Sequence, residues 1–119
     1  MTRRRAQQKP EPQEDLTGLC FPTATKEASK RGGEVVHAIV THPLTSETYW
    51  HAWVERDGRV YDNTGSKISI AKFYEMFQPE SVRRYSDIEA MVYAVRTRHH
   101  GPWEPDETGD KPRPVRRRK

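Results

Sequence analysis

The sequence predicts one α+β domain, in which an N-terminal helix packs on a small antiparallel sheet and two further helices follow. Three observations predict this class. Aromatic and β-branched residues fill positions 47–56 and are followed by Asp57-Gly58, a pair typical of hairpin turns because both central positions need φ > 0. Good helix formers fill 23–31 and end at a glycine pair. Apolar residues later recur at helical spacing after two capping signals.

The first helix makes Cys20 a candidate nucleophile. Cys20 stands at the predicted start of the helix, and Pro22 suits the first turn, where its missing N–H costs nothing. A helix N-terminus carries partial positive charge, which stabilises a thiolate over a thiol. The alternative is a small buried apolar side chain, the usual role of an unpaired cysteine. With one cysteine in the sequence, an intramolecular disulfide is excluded.

The predicted hairpin brings a histidine and an aspartate close together. The segment 34–42 has an apolar centre, which predicts a strand buried on both faces. The next strand carries His51, and the hairpin that follows it places Asp62 on the neighbouring strand, within reach of the imidazole. Asn63 is the alternative partner, because the register of the strands decides which side chain meets His51.

Other aromatic and histidine side chains lie on the same strands. Trp50 and Trp53 are candidate substrate-binding residues, and core packing is the alternative for each indole. The alternation of side chains along a strand puts the two on opposite faces. His37 and His42 are expected to be strand residues with local hydrogen bonds.

Two amphipathic helices are predicted in the second half of the chain. Ser69 is a candidate N-cap, and the apolar residues after it have the i, i+3, i+4, i+7 spacing of one buried stripe. Ser86 and Glu89 form a capping box for the last helix. We expect the inward face of that helix to consist of Ile88, Met91, Val92 and Val95. A short strand over 82–85 precedes it, and Trp103 is expected to pack back on the domain.

The charge of the chain belongs to its two ends. Residues 1–15 carry a net charge of +1 and residues 105–119 carry +3, so the remaining 16–104 are neutral in a chain of +4. We interpret the two ends as disordered basic tails and 16–104 as the single domain. The tails would add only a salt-dependent attraction to nucleic acid, because the domain itself carries no net charge.

Metal, membrane and secretion signals are weak in this sequence. His99-His100 lacks the cysteine and carboxylate spacing of a zinc site, so no metal or other cofactor is predicted. No apolar run is long enough to cross a membrane, and no apolar segment follows the charged start as in a secretory signal. A cytoplasmic, reducing setting is therefore expected, and it would keep Cys20 as a thiol.

The order of these elements resembles the core of the papain-like superfamily, and its transglutaminase-like branch in particular. Members often show a cysteine that opens a helix, a His-Ala-Trp-Val-Glu strand, and an aspartate followed closely by a threonine. Here these elements are Cys20, His51-Ala52-Trp53-Val54-Glu55 and Asp62-Asn63-Thr64. The resemblance covers roughly residues 16–64, and the two later helices are not part of the shared pattern.

The resemblance implies a cysteine-dependent amide hydrolase or acyltransferase acting on a protein or peptide. Cys20 would attack a carbonyl, His51 would hold the thiol proton and later protonate the leaving amine, and Asp62 would orient the imidazole. The acyl-thioester would then pass to water or to an amine. The alternative is a non-catalytic protein-binding module or inhibitor on the same scaffold, which would hold its partner through Trp50 or Trp53. The oligomeric state stays open.

Overall fold

The structure is a computed structural model that describes residues 19–65 and 67–108. Its helices are α1 (Cys20–Arg31), α2 (Ile70–Phe77), α3 (Asp87–Thr97) and α4 (Pro105–Thr108). Its strands are β1 (Glu34–Thr41), β2 (Thr48–Arg56), β3 (Arg59–Tyr61) and β4 (Glu80–Tyr85). The predicted α+β class is confirmed, with the cysteine-bearing helix on an antiparallel sheet and further helices after it.

Most of the two predicted tails lies outside the part of the chain that the structure describes. The segment 1–15, the boundary at residue 16 and residues 109–119 lie outside the described residues. Residues 105–108, which the sequence analysis assigned to the carboxy-terminal tail, form the single turn of α4.

The sheet has the strand order β3-β2-β1-β4, and each neighbouring pair is antiparallel. In the central ladder Ala38 of β1 lies opposite His51 of β2. The β2–β3 hairpin turns at Asp57 and Gly58, whose φ angles of 53° and 77° are both positive. The predicted hairpin turn is therefore confirmed, and it directs β3 back along β2.

Helices cover both faces of the sheet. On one side, here called the α1 face, α1 and α3 bury residues of β1 and β2 such as Val35, Ala52 and Val54. On the opposite side, the α2 face, Phe73 of α2 packs against Trp53. Successive side chains of a strand point to opposite faces of the sheet. Since both faces are covered by helices, β1 needs apolar side chains on both of its sides. Its residues 35–40 are all buried, as predicted.

Local signals set the ends of the helices where the sequence predicts them. Gly32 ends α1 with φ 85°. The Ser69 hydroxyl accepts a hydrogen bond from the Lys72 amide at 3.1 Å and caps α2. Ser86 and Glu89 form both hydrogen bonds of the capping box at α3. Trp103 packs back on the α1 face with 1% of its surface exposed, which confirms its predicted burial.

The orientation of α3 differs from the prediction. Four apolar side chains expected to face inward are exposed to solvent: Ile88, Met91, Val92 and Val95. The buried side of α3 carries Ala90, with Tyr93 and Ala94 packed on the same cluster. Small residues face inward here because α3 lies close to α1, whose buried side carries Ala24 and Ala28.

Candidate functional site

His51 and Asp62 form a buried pair on the α2 face. His51 lies in the middle of β2, and Asp62 follows the last residue of β3. The distance between His51 Nε2 and Asp62 Oδ2 is 3.1 Å, and both side chains are less than a tenth exposed. The predicted pairing of His51 with Asp62 is thus present, and the alternative partner Asn63 does not take its place.

Asp62 is held as a carboxylate. Its other oxygen, Oδ1, accepts hydrogen bonds from the Thr64 amide at 3.0 Å and the Thr64 hydroxyl at 2.6 Å. Burial alone would raise the pKa of Asp62, but the hydrogen bonds from His51 and Thr64 outweigh it and lower that pKa below its ordinary value. An ionised carboxylate only accepts, so His51 donates to it through Nε2.

The imidazole of His51 is enclosed by aromatic rings. Tyr49, Trp53 and Phe73 have ring centroids within 5.9, 5.8 and 6.4 Å of it. Among the described residues, none offers a hydrogen bond to His51 Nδ1. This nitrogen is therefore buried on the side of the ring away from Asp62.

Cys20 occupies the opposite side of the sheet. It is the first residue of α1, is 1% exposed, and belongs to the buried cluster of the α1 face with Trp50 and Ala52. Those two residues flank His51 on β2, so their side chains point away from the imidazole. The structure thus brings His51 and Asp62 together and leaves the sheet between this pair and the Cys20 thiol.

The two candidate substrate-binding tryptophans are core residues on opposite faces. Trp50 is 6% exposed on the α1 face, where the Arg83 guanidinium lies 5.1 Å from its ring centroid. Trp53 is fully buried on the α2 face, and its Nε1 donates to Glu55 Oε2 at 2.9 Å. Side chains on opposite faces do not line one cleft, so a single ligand would meet at most one of them.

His37 is a buried titratable residue that the sequence analysis treated as an ordinary strand residue. Its ring lies between Phe21, Tyr85 and Trp103, with centroids 4.8 to 5.2 Å away. The expected local hydrogen bonds are absent, because no described residue pairs with either ring nitrogen. Burial, helped by the charge of Arg83, lowers the pKa of His37 to about 3. The sequence signal for this burial was the position of His37 between Val36 and Ala38, within a segment that is otherwise apolar.

His42 makes the predicted local hydrogen bonds, but it lies just past the end of β1 and not within the strand. Its Nδ1 accepts hydrogen bonds from the amides of Leu44 and Thr45 at 3.1 and 3.3 Å. It therefore stabilises the turn between β1 and β2, and its ring has a structural role.

The exposed side of α3 forms an apolar surface that the sequence analysis missed. Its members, here called the α3 stripe, are Ile88, Met91, Val92 and Val95, exposed by 68, 42, 46 and 74%. The i, i+3, i+4, i+7 spacing places all four on one side of the helix. The same spacing that predicts an amphipathic helix thus marks a surface, because periodicity does not say which way a stripe points.

A groove of about 450 Å³ runs between α1 and α3 beside this stripe. Met91, Ala94 and Val95 line it from α3, and Pro22 lines it from α1. Polar residues complete the lining: Thr25, Lys26, Ser29, Lys30 and His100. Met91 and Val95 belong both to the groove and to the α3 stripe, so the two form one continuous surface.

A metal centre finds no support within residues 19–65 and 67–108. There, no three side chains of the His, Cys, Asp and Glu types converge closely enough to hold an ion. His99 contacts Glu107 instead, with Nε2 and Oε2 3.0 Å apart.

Comparison with known proteins leaves the family open. No family model, no curated protein and no solved structure matches this chain. The resemblance to the transglutaminase-like branch, and the catalytic roles carried over from it to Cys20, His51 and Asp62, stay predictions.

Proposed function

We propose that this chain is a non-catalytic protein-binding module that docks its partner on the α3 stripe and the adjoining groove. The observation that carries the proposal is the outward position of the four apolar side chains of the stripe. A contiguous patch of exposed apolar side chains often marks an interaction site.

The stripe is suited to binding because its helix is already ordered. The capping box of Ser86 and Glu89 satisfies amides at the start of α3. The inner side of the helix is anchored by Ala90, which is fully buried. A partner would therefore not have to order this surface on binding, and the apolar area it covers would contribute about 25 cal/mol per Å² before the costs of association.

Catalysis through the proposed triad receives less support from the geometry. A cysteine nucleophile and its general base must come within hydrogen-bond reach, about 2.6–3.2 Å. Cys20 packs on the α1 face with Ala52, whereas His51 contacts Phe73 on the α2 face. The central strands of the sheet would have to rearrange before the thiol met the imidazole.

A fragment-display selection tests the binding proposal. A phage library of protein fragments is selected on the wild-type protein, on Ile88→Gln/Val95→Gln and on the control Leu44→Gln, a position 87% exposed in the β1–β2 turn. We expect binders that keep their affinity for the control and lose roughly tenfold or more on the stripe variant. A selection with no such binders, or binders indifferent to the stripe, would refute the docking face.

A cysteine hydrolase or acyltransferase is the second candidate, and the His51–Asp62 pair is the observation that favours it. A carboxylate that orients a histidine whose other nitrogen has no described partner is two thirds of a nucleophilic triad. It requires a state of the protein in which Cys20 reaches His51.

Alkylation of Cys20 by iodoacetamide as a function of pH separates the two candidates. The binding module predicts slow alkylation, because the thiol is 1% exposed, and the same rate in His51→Ala. Fast alkylation well below the free-cysteine pKa of about 8.5, lost in His51→Ala and kept in the control His100→Ala, would favour the hydrolase.

The proposed setting is the cytoplasm, which would keep the single cysteine of this chain as a thiol. Across residues 19–65 and 67–108 no helix has the length and apolar character needed to cross a membrane. Attraction of nucleic acid by the basic ends stays a prediction, since 1–15 and 109–119 lie outside the described residues.

A further inference from the structure

The groove beside the α3 stripe is lined by positively charged side chains as well as by apolar ones. Lys26 and Lys30 of α1 line it, and both side chains are exposed. Their i, i+4 spacing puts both ammonium groups on one side of α1, where they form a row along the groove. Among the described residues that line the groove, none carries a carboxylate.

The nearest carboxylate on α1 is occupied elsewhere. Glu27 contacts Arg31 through Oε1 and Arg56 through Oε2, each at 2.9 Å. None of the ion pairs within the described part includes Lys26 or Lys30. The lysine row is therefore a positive edge whose charge is not balanced by its own helix.

We infer that the occupant of this groove is an amphipathic helix of a partner protein, with an apolar face for the α3 stripe and acidic residues for the lysine row. The inference rests on the proposed binding function and adds the chemistry of the partner. Two helices lying side by side leave a groove that takes a third helix through anchors at i, i+3, i+4 and i+7. Acidic residues on its flank would pair with Lys26 and Lys30 and set its orientation.

Charge favours this occupant over a second copy of the chain. A symmetric dimer uses the same patch on both subunits, so it would bring two lysine rows into one interface. An acidic helix instead brings opposite charges together, which speeds association and selects against basic partners.

Fluorescence anisotropy with a matched set of peptides tests the inference. The probe is a labelled helical peptide with leucines at i, i+3, i+4 and i+7, glutamates on both flanks and alanines elsewhere. Its two counterparts carry glutamine or lysine in place of glutamate. We expect the acidic peptide to bind the wild-type protein about tenfold more tightly than the glutamine peptide, and the lysine peptide to bind most weakly.

Variants assign the effect to the groove. Lys26→Glu/Lys30→Glu should weaken binding of the acidic peptide about tenfold and reverse the order of affinity of the three peptides. The matched control Lys67→Glu/Lys72→Glu makes the same change of charge at exposed residues in and just before α2, and it should leave the order unchanged. Circular dichroism of each variant checks that the helices are retained.

The remaining outcomes separate this inference from the binding function. Equal affinity for the three peptides, or no peptide binding while stripe-dependent fragments are still selected, would overturn the acidic partner and leave the module intact. Dimerisation through the stripe in light scattering, or stripe-dependent binding to vesicles of anionic lipid in preference to the peptide, would also overturn it. A wild-type protein that binds neither fragments nor peptides would refute both proposals.

Discussion

At the scale of single residues, His37 shows how much the surroundings of a side chain decide its chemistry. Its ring is fully buried among Phe21, Tyr85 and Trp103, and no described residue pairs with its nitrogens. A buried polar group without a partner costs about 1–3 kcal/mol, and a charged one far more. The neutral ring is the form that this aromatic cage tolerates.

Acid should destabilise the fold through His37. Its pKa is about 3 in the folded protein and near 6.5 in the unfolded chain, so between these values the unfolded state binds the additional proton. The contribution of neutral His37 to the free energy of unfolding is therefore fully present above about pH 6.5. It is lost as the pH falls toward 3, by up to about 1.4 kcal/mol per pH unit. Urea unfolding at pH 7 and pH 4.5 should show a loss about 2–3 kcal/mol larger in wild type than in His37→Leu.

The comparison of the two proteins isolates this histidine. Every other titratable group is present in both, so a distant contribution cancels in the difference. An identical pH dependence of the free energy of unfolding in wild type and His37→Leu would show that the folded protein protonates His37 as readily as the unfolded chain does.

His51 is also buried and differs from His37 in having an anionic partner. Asp62 Oδ2 accepts a hydrogen bond from His51 Nε2, with 3.1 Å between the two atoms, whereas His37 lies near the cationic Arg83. Two histidines on adjacent strands thus have opposite electrostatic environments. The local sequence around each is apolar and β-branched or aromatic, so it does not distinguish them.

At the scale of elements, α3 is the part of the chain whose role depends on its orientation. Its boundary is set locally: the Ser86 hydroxyl accepts from the Glu89 amide at 3.0 Å, and Glu89 Oε1 accepts from the Ser86 amide at 2.9 Å. Its rotation about its own axis is set by contacts with α1 and Trp103, which select the small and aromatic side for burial.

Removal of the cap should destabilise the protein modestly. Ser86→Ala deletes the acceptor for the Glu89 amide, and loss of an N-cap side chain costs about 1 kcal/mol. Glu89→Gln is the matched control, because an amide oxygen can still accept from the Ser86 amide, and it should cost less. Denaturant midpoints measure both, and equal losses would mean that the capping box is not what stabilises the start of α3.

At the scale of the whole molecule, the segment 99–103 after α3 joins that helix to the sheet. The Trp103 Nε1 donates to the His99 carbonyl at 3.0 Å, and its ring packs on Tyr85 and Tyr93. Gly101 crosses directly over His37, since a Cβ at this position would lie 2.3 Å from His37 Cε1. The cage around His37 is therefore closed by residues more than sixty positions away in the chain.

Gly101→Ala should loosen this closure. The added methyl group would overlap the imidazole, and the residue has φ 109°, a conformation that side chains rarely adopt. Overpacking of this kind costs about 1–3 kcal/mol. Gly32→Ala is the control: it has φ 85° and open space at Cβ, so it adds backbone strain alone. Thermal unfolding should show the larger loss in Gly101→Ala, and equal losses would mean that the segment moves away from His37 at little cost.

Sequence alone determined the features that depend on neighbouring residues. The Asp57-Gly58 turn, the glycine stop of α1 and the capping box of α3 each act within a few positions, so the element order and the α+β class follow from them. The approach of His51 to Asp62 was also predicted from the hairpin, whereas the choice of Asp62 over Asn63 depended on the register of the strands.

Only the tertiary structure decided which sides of the elements meet. The packing of α1 on the face of β2 that carries Ala52 puts Cys20 across the sheet from His51, although the two stand in the predicted order. The packing of α3 through Ala90 leaves Val95 in solvent. Periodicity records that a helix or strand has two unlike sides, but the burial of each side depends on the volume and shape of distant segments, which no local pattern contains.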